Sequence, residues 1–411
     1  MQFLECFASL KGLMLTEIYW VDLNPPDART ISPTFCSKLR TLEVSHNLIE
    51  GPLLNLMPAS IERLAIGPRM EHRSDEDPPE SYEGLARYRS LQTLHLETSL
   101  QDDIEWTPLF VRTIASSPAL GALVKDLYIY LQDTQALWSS NDEDMAALFP
   151  AEATRNLSSL RHLTIDCELD LPPLKMSSIC PSSIALYGRV QTLLFSGVLV
   201  DRIHDLMQFL EFFASLRTLT LTDIQWVDLD PPDAMTVSLT LPRLQTLHVY
   251  SNMMDGPILQ LLPVSVESLS IGPRFDSELR SEEEFTDSFE GLARYQNLQT
   301  LYLETFLSDD IEWLVEALSF VRSPGLRTLS LVYNGRLSRE FYRQMQAPRL
   351  RDLLAQEPFL NLALLHISIP RFNGTDEEVA PRKIQDFLES MFDADREGAF
   401  RPSYALKIKM C

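Results

Sequence analysis

Basic residues are scarce in this sequence. Lysine and arginine together number 35, against 58 aspartates and glutamates, which gives a formal net charge of −23 at pH 7. Phosphate backbones and anionic membrane surfaces repel a chain of this sign. The composition therefore excludes nucleic acid and membranes from the expected partners.

Long apolar runs and secretory features are also missing. No apolar run reaches the roughly 18 residues of a membrane span, and the stretch from Met1 to Cys6 lacks the basic start and apolar core of a signal peptide. The sequence has five cysteines: Cys6, Cys36, Cys167, Cys180 and Cys411. None has the CxxC or Cys/His spacing that suits zinc. We expect reduced thiols in an intracellular protein, cytoplasmic or nuclear.

An internal duplication is the strongest pattern that the sequence does contain. The stretch from Met1 to Leu10 returns as Met207 to Leu216, at an offset of 206 residues. Three further stretches return in the same order: Trp20–Ala28 at Trp226–Ala234, Glu83–Tyr88 at Glu290–Tyr295, and Asp102–Trp106 at Asp309–Trp313. We therefore predict two tandem copies of one long block, residues 1–206 and 207–411, in one continuous solenoid.

A shorter pattern, apolar-x-x-apolar-x-apolar, recurs within each copy, as in Leu244 to Val249 and Leu326 to Leu331. Seven such units fit one copy, so the mean repeat is about 29 residues. The alternation predicts short strands with one buried face, and segments such as Ser288–Tyr295 and Leu314–Val321 predict helical turns behind the sheet. Threonine fills one exposed strand slot in seven units: Thr41, Thr93, Thr192, Thr218, Thr246, Thr300 and Thr328. The expected fold is an α/β solenoid with a parallel sheet.

These repeats resemble the leucine-rich-repeat superfamily, and their length with helical returns is most similar to its ribonuclease-inhibitor-like branch. Asn47, Asn252 and Asn334 stand three residues after the last apolar residue of a strand, where the family's asparagine bonds the backbone of the turn. Ile224 departs from that pattern, and residues 107–206 are irregular. The resemblance implies a concave parallel β-sheet with helical or irregular convex segments.

The Leu-Arg-Thr-Leu and Leu-Gln-Thr-Leu strands, with proline-rich and acidic loops between them, resemble the repeats of fungal F-box-like proteins. That resemblance implies a ubiquitin-ligase adaptor, in which an F-box docks on a cullin-RING ligase and the repeats hold the substrate. No F-box pattern precedes the repeats, and a first strand starting near Met1 would be uncapped. We hypothesise that an N-terminal F-box is missing from this chain. The alternative is a free-standing leucine-rich-repeat scaffold without a ligase.

The concave face is the expected partner-binding site, because residues between the strand apolars point out of it. We predict these residues for the site: Glu43, His95, Glu97, Tyr128, Tyr130, His162, Asp166, His248, Tyr250, Tyr302, Glu304 and His366. Aromatic and amphipathic side chains on a rigid sheet suit a protein interface. The competing interpretation is that they are ordinary solvated strand residues.

Metal binding and catalysis are not expected. The four histidines of that face lie at least two strands apart, about ten ångströms, which is too far to share an ion. The acidic clusters at Asp102–Glu105 and Asp309–Glu312 could suggest a glycosidase pair, but they recur through duplication and no nucleophile, phosphate loop or cofactor motif accompanies them. We read them as helix-starting loops and predict a non-enzymatic protein without a cofactor.

Three other features have structural interpretations. The Trp-Val-Asp-Leu-x-Pro-Pro-Asp-Ala element at Trp20 and Trp226 is a core cap followed by a turn, or else a peptide-binding loop shown twice. The acidic runs near Ser74, Asn141 and Arg280 are solvated loops, or else docking sites for a basic partner. An amphipathic helix over 382–391 and a strand over 404–410 are expected to cap the C-terminal end.

Overall fold

Short strands alternate with return segments in the part of the chain that the structure describes. The computed structural model describes residues 10–16, 38–45, 57–66, 88–99, 114, 117–132, 155–167, 174–175, 188–200, 203–226, 241–250, 255–272, 289–305, 311–333, 347–369 and 405–410. The chain divides into two units. The first holds Met1–Asp201 with Gln208–Leu216, and the second holds Arg202–Met207 with Arg217–Cys411.

The first unit contains a parallel sheet in which each strand pairs with the next one along the chain. Its strands are β1 (Gly12–Thr16), β2 (Thr41–Ser45), β3 (Arg63–Ile66), β4 (Thr93–Ser99), β5 (Asp126–Gln132), β6 (His162–Cys167) and β8 (Thr192–Ser196). Between β6 and β8, β7 (Leu174–Lys175) leaves this sheet and pairs with β9 (Val198–Val200).

The second unit repeats the arrangement with seven parallel strands among the residues that the structure describes. They are β10 (Thr218–Thr222), β12 (Thr246–Tyr250), β13 (Ser268–Ile271), β14 (Thr300–Thr305), β15 (Thr328–Tyr333), β16 (Leu364–Ile369) and β17 (Ala405–Met410). A two-residue strand, β11 (Gln225–Trp226), follows β10. The predicted final strand is confirmed as β17.

Helices occupy the return segments. They are α1 (Pro118–Gly121), α2 (Ile203–Glu211), α3 (Asp255–Leu261), α4 (Ile311–Phe320) and α5 (Ala347–Leu354), with 3-10 helices at Glu290–Arg294 and Phe359–Asn361. A strand followed by a helical return, repeated in register, is the α/β solenoid of leucine-rich-repeat type that the sequence predicts.

The register of the sheet aligns the apolar positions of every repeat. In the second unit, Leu247 pairs with Leu219 and Leu269, and Val249 pairs with Leu221 and Ile271. All of these side chains are buried, as are Leu244, Val266, Leu298 and Leu326, which begin their repeats. Burying one such side chain contributes about 1.5–3 kcal/mol, so the stacked rows are the main source of stability.

Threonine occupies the first position of its strands, as predicted. Thr218 pairs with Thr246, and Thr300 pairs with Thr328, while Ser268 stands between the two pairs. These β-branched or hydroxyl residues are half-buried beside one another on the side of the sheet away from the leucines. The row favours the extended backbone without adding apolar surface.

The duplicated Glu-Gly-Leu-Ala-Arg-Tyr stretch has a structural explanation in the second unit. Its 3-10 helix packs so closely on α3 that a Cβ on Gly291 would lie 2.9 Å from the carbonyl carbon of Leu259. The hydroxyl of Tyr295, which is fully buried, donates to the Leu259 carbonyl at 2.9 Å. Glycine permits the approach, and tyrosine satisfies a carbonyl at the end of a helix.

Small polar side chains join neighbouring repeats. Ser60 donates to the Leu39 carbonyl at 2.9 Å, and Ser265, its counterpart in the second copy, donates to the Leu244 carbonyl at 3.0 Å. The fully buried Ser323 donates to the Leu298 carbonyl at 2.7 Å. The asparagines expected to bond the turns, Asn47, Asn252 and Asn334, lie outside the described residues. The sequence pattern did not indicate the serines that join the repeats.

We predict that Tyr295→Phe lowers the free energy of unfolding by about 1–3 kcal/mol, because the Leu259 carbonyl would stay buried without its donor. Chemical denaturation followed by circular dichroism measures the change. Tyr128→Phe is the matched control, since it removes the same hydroxyl from a side chain that is 36% exposed. Equal losses in the two variants would contradict the assigned role of the Tyr295 hydroxyl.

Candidate partner-binding face

The pleat of each strand places its first, third and fifth residues on the side of the sheet opposite the buried leucines. We call this side the open face. Every residue predicted for the partner site lies at one of these positions. Third positions hold Glu43, His95, Tyr128, His248, Tyr302 and His366; fifth positions hold Glu97, Tyr130, Asp166, Tyr250 and Glu304; and His162 is a first-position residue.

Two aromatic rings stack on the open face of the first unit. His95 on β4 and Tyr128 on β5 are register partners, and their ring centroids are 5.6 Å apart with an interplanar angle of 14°. Met14, on the same row of third positions, is 64% exposed. This part of the sheet presents flat apolar groups to solvent, which is a feature of protein-binding surfaces.

A polar group lies at the first positions of β4 to β6. The Thr93 hydroxyl donates to Asp126 Oδ2 at 2.9 Å, and His162 Nε2 is 3.8 Å from Asp126 Oδ1. Asp126 was not among the predicted residues, although its place before an apolar-x-apolar stretch was a usable signal. The interaction orients His162 on the surface and contributes little to stability, because both groups are partly exposed.

The second unit pairs His248 with Tyr250 on β12. Their rings are nearly parallel, with centroids 6.0 Å apart, and the Tyr250 hydroxyl lies 3.5 Å from His248 Nδ1. The Tyr250 ring also lies across the neighbouring strand, where a Cβ on Gly272 would overlap it. The absence of a side chain at Gly272 is therefore what allows this ring position.

Burial is the largest cause of a raised pKa at Tyr250. A hydrogen bond with Ser270 acts in the opposite direction, and the negative charge of Glu304 raises the pKa further. Tyr250 is thus within electrostatic reach of a carboxylate two strands away. The phenol is neutral at physiological pH.

Tyr302 and Glu304 form the next pair, on β14. The Tyr302 hydroxyl donates to Glu304 Oε2 at 2.9 Å. On the next two strands, β15 and β16, the Ser330 hydroxyl lies 3.0 Å from His366 Nδ1. Ser270 and Ser330 are both 7% exposed although they lie on the open face. Larger neighbouring side chains therefore cover both serines.

The third positions of the second unit alternate in size. Across β12 to β16 the row reads His248, Ser270, Tyr302, Ser330, His366. Because each serine is small, a ring from the adjacent strand can pack against the sheet beside it. The sequence indicated the rings but not the serines, whose importance appears only when the strands are in register.

The structure brings some of the predicted residues together in pairs, each within one unit: His95 with Tyr128, His248 with Tyr250, Tyr302 with Glu304, and Glu304 with Tyr250. His162 contacts Asp126 and His366 contacts Ser330, neither of which was predicted. Glu43, Glu97, Tyr130 and Asp166 share the open face of the first unit by register. The predicted residues therefore share one side of their sheets, while their role in binding a partner stays a prediction.

The described residues hold no arrangement suited to a metal ion or a membrane span. Within the described part of the chain, no group of three or more histidine, cysteine or acidic side chains is arranged to hold a metal ion. Cys167 is a buried cysteine that is not part of a disulfide. No helix in the described ranges has the length and apolar character needed to cross a membrane.

Several predicted features lie on other parts of the chain. Helix α4 begins at Ile311, directly after Asp309 and Asp310, as expected for a helix-starting loop. The first acidic cluster at Asp102–Glu105 lies outside the described residues. So do Trp20, the acidic runs near Ser74, Asn141 and Arg280, and the expected helix over 382–391.

Comparison with known proteins gives similarity to solved structures only. No protein-family model matches the chain, and no curated protein matches it. Among solved structures it is similar to an internalin, InlF, from Listeria monocytogenes str. 4b F2365, with 16% identity and a TM-score of 0.38, over 91% of this chain and 85% of that one. The solenoid architecture follows from the chain's own strands and register.

The buried position of His248 predicts a pH effect. Burial lowers its pKa, so the unfolded chain, with an ordinary pKa of about 6.5, binds the proton first as the pH falls. The stability is complete above that value and is lost as the pH falls from about 6.5 towards the lower pKa of the folded state.

We therefore expect wild type to lose more unfolding free energy between pH 7.5 and pH 5.5 than His248→Gln, which has no titrating group at this position. Urea denaturation at three pH values in this range measures the difference. Parallel pH profiles for the two proteins would contradict burial of a neutral imidazole at His248.

Proposed function

We propose that this chain is a non-catalytic solenoid that binds a protein partner on the open face of its sheets. The observation that carries the proposal is the row of alternating large and small residues in the second unit, with His248, Tyr302 and His366 separated by serines. Rings held on a rigid sheet lose little conformational freedom on binding, and tyrosine is enriched among residues that dominate interface affinity.

The hydrogen bonds of this face support preorganisation. Tyr302 is held by Glu304, and His366 lies against Ser330. A partner would meet side chains whose rotamers are already restricted, so less entropy is lost in the complex. The first unit adds the stacked His95 and Tyr128, and we propose the other predicted residues of its face as further contacts.

The Ser330–His366 contact has the geometry of a nucleophile and its base, but its surroundings favour a structural role. Ser330 is 7% exposed and lies in the middle of a strand paired on both sides. The backbone N–H groups around it serve the sheet, so they are not available as an oxyanion hole. We therefore propose no enzymatic activity and no cofactor.

The finer proposal is that the chain is the substrate-recruiting part of an F-box-like ubiquitin-ligase receptor, in the cytoplasm or nucleus. The similarity of its Leu-Arg-Thr-Leu and Leu-Gln-Thr-Leu strands to the repeats of fungal F-box-like proteins supports this version. The alternative, a free-standing scaffold, needs only the open face. The two versions predict different co-purifying proteins.

Affinity purification of the tagged protein, expressed from its own locus and analysed by mass spectrometry, tests both versions. We expect a reproducible protein partner whose recovery falls at least tenfold when Tyr302 is replaced by alanine. Cullin-RING subunits in the same sample would support the receptor version, and their absence alongside a reproducible partner would favour the scaffold. No partner dependent on open-face residues would contradict the proposed function.

A further inference from the structure

We propose that the open face of the second unit binds a lysine or arginine side chain of the protein partner, at a site formed by Tyr250, Tyr302 and Glu304. This inference rests on the proposed function and deepens it by naming the chemistry of the occupant. Three independent features of the chain support it: the divergence of the two copies, the geometry of the cluster and the charge of its surroundings.

Within the aligned strands, the two copies differ most at the centre of the open face. Strands β1 to β4 align with β10, β12, β13 and β14, and their second and fourth positions are identical in all eight pairs. The central third positions differ in all four pairs: Met14 and Thr220, Glu43 and His248, Ala65 and Ser270, His95 and Tyr302. The core was kept while the middle of the open face changed.

Two of the differences between the copies lie near a carboxylate that both copies retain. Glu304 corresponds to Glu97, and Gly272 corresponds to Gly67. In the second copy, however, Tyr250 replaces Ser45 and Tyr302 replaces His95. The second copy therefore places two phenol rings beside the glutamate where the first copy has smaller groups.

The contacts show how these groups form one cluster. Tyr302 donates its hydroxyl to Glu304. The Tyr250 ring lies against Gly272, on the strand between its own and that of Glu304. Strands β12 and β14 are separated by about 9.6 Å, two strand spacings. The Tyr250 ring reaches over the intervening strand and the charge of Glu304 acts on it, so an aromatic ring and a carboxylate share this part of the open face.

The surrounding charge favours a cation. At the first, third and fifth positions of β10 and β12 to β15, Glu304 is the sole carboxylate and there is no lysine or arginine. The other groups are hydroxyls, rings, Val332 and Gly272. The net charge of −23 adds a long-range attraction for basic segments.

A lysine or arginine side chain matches both parts of the site. Its charged end would bind the Glu304 carboxylate, and its methylene stem would lie against the tyrosine rings. Cation–π contact with a ring adds to a charge pair when water is excluded. An acidic side chain would meet Glu304 with a like charge, and a purely apolar one would remove water from that carboxylate without adding a charge partner.

Phage display with random dodecamer peptides against the full chain tests the proposal. We expect the selected peptides to contain lysine or arginine, and their affinity to fall at least tenfold on Glu304→Gln and on Tyr250→Ser, which installs the residue of the first copy. Replacing the basic residue of a selected peptide by norleucine should give a similar loss, since it keeps the stem and removes the charge.

Glu290→Gln is the matched control. It removes the same charge from an exposed position on the 3-10 helix behind the sheet, so peptide affinity should change less than twofold. Circular dichroism confirms that each variant is folded. Glu304→Gln is nearly isosteric and keeps the test valid if Tyr250→Ser fails to fold.

Three results would overturn the proposal: no peptides enriched over a Glu304→Gln selection, enriched peptides without basic residues, or affinities that Glu304→Gln leaves within twofold. These results are distinguishable from failure of the proposed function. If affinity purification recovers a partner that depends on Tyr302 but not on the charge of Glu304, the open face binds proteins and the cation site is wrong.

Discussion

The register of the apolar strand positions is the constraint on which each unit depends. Leucine, isoleucine and valine at the second and fourth positions meet their counterparts on both neighbouring strands, so a slip of one residue would expose all of them on the wrong side. In the second unit, Leu269 and Ile271 illustrate this, since both are fully buried between register partners. No repeat can bury its own apolar face, and stacking therefore determines both the fold and the stability.

The same register determines what the open face can carry. Third-position residues lie on the side of the sheet opposite the leucine rows, so they can differ without disturbing those rows. The inward positions of β1 to β4 are unchanged in the second copy, while the third positions all differ. A duplicated solenoid thus offers two sheets of similar construction with different surface chemistry. The first has the His95–Tyr128 stack. The second has tyrosines around Glu304.

Small residues are as important as large ones in this arrangement. Gly291 permits the approach of a return segment to α3, Gly272 permits Tyr250 to lie across a strand, and Ser330 accommodates the imidazole of His366. In each case a small or absent side chain leaves the space that a neighbouring group occupies. Serines at the repeat boundaries, such as Ser60 and Ser265, satisfy carbonyls that a regular strand would leave without a donor at this point.

The sequence by itself determined the repeats, their strands, the side of the sheet that is buried and the residues that face outward, because alternation and spacing are local properties that a fold of this kind uses directly. It did not determine which outward residues meet. Tyr250 and Glu304 are more than fifty positions apart in sequence, and their proximity depends on strand register and on the empty position at Gly272. Asp126 beside His162 and Ser330 beside His366 are further cases. Side-chain contacts between neighbouring strands are decided only when the repeats stack. Loop lengths vary from repeat to repeat, so no local sequence pattern indicates which side chains will meet on adjacent strands.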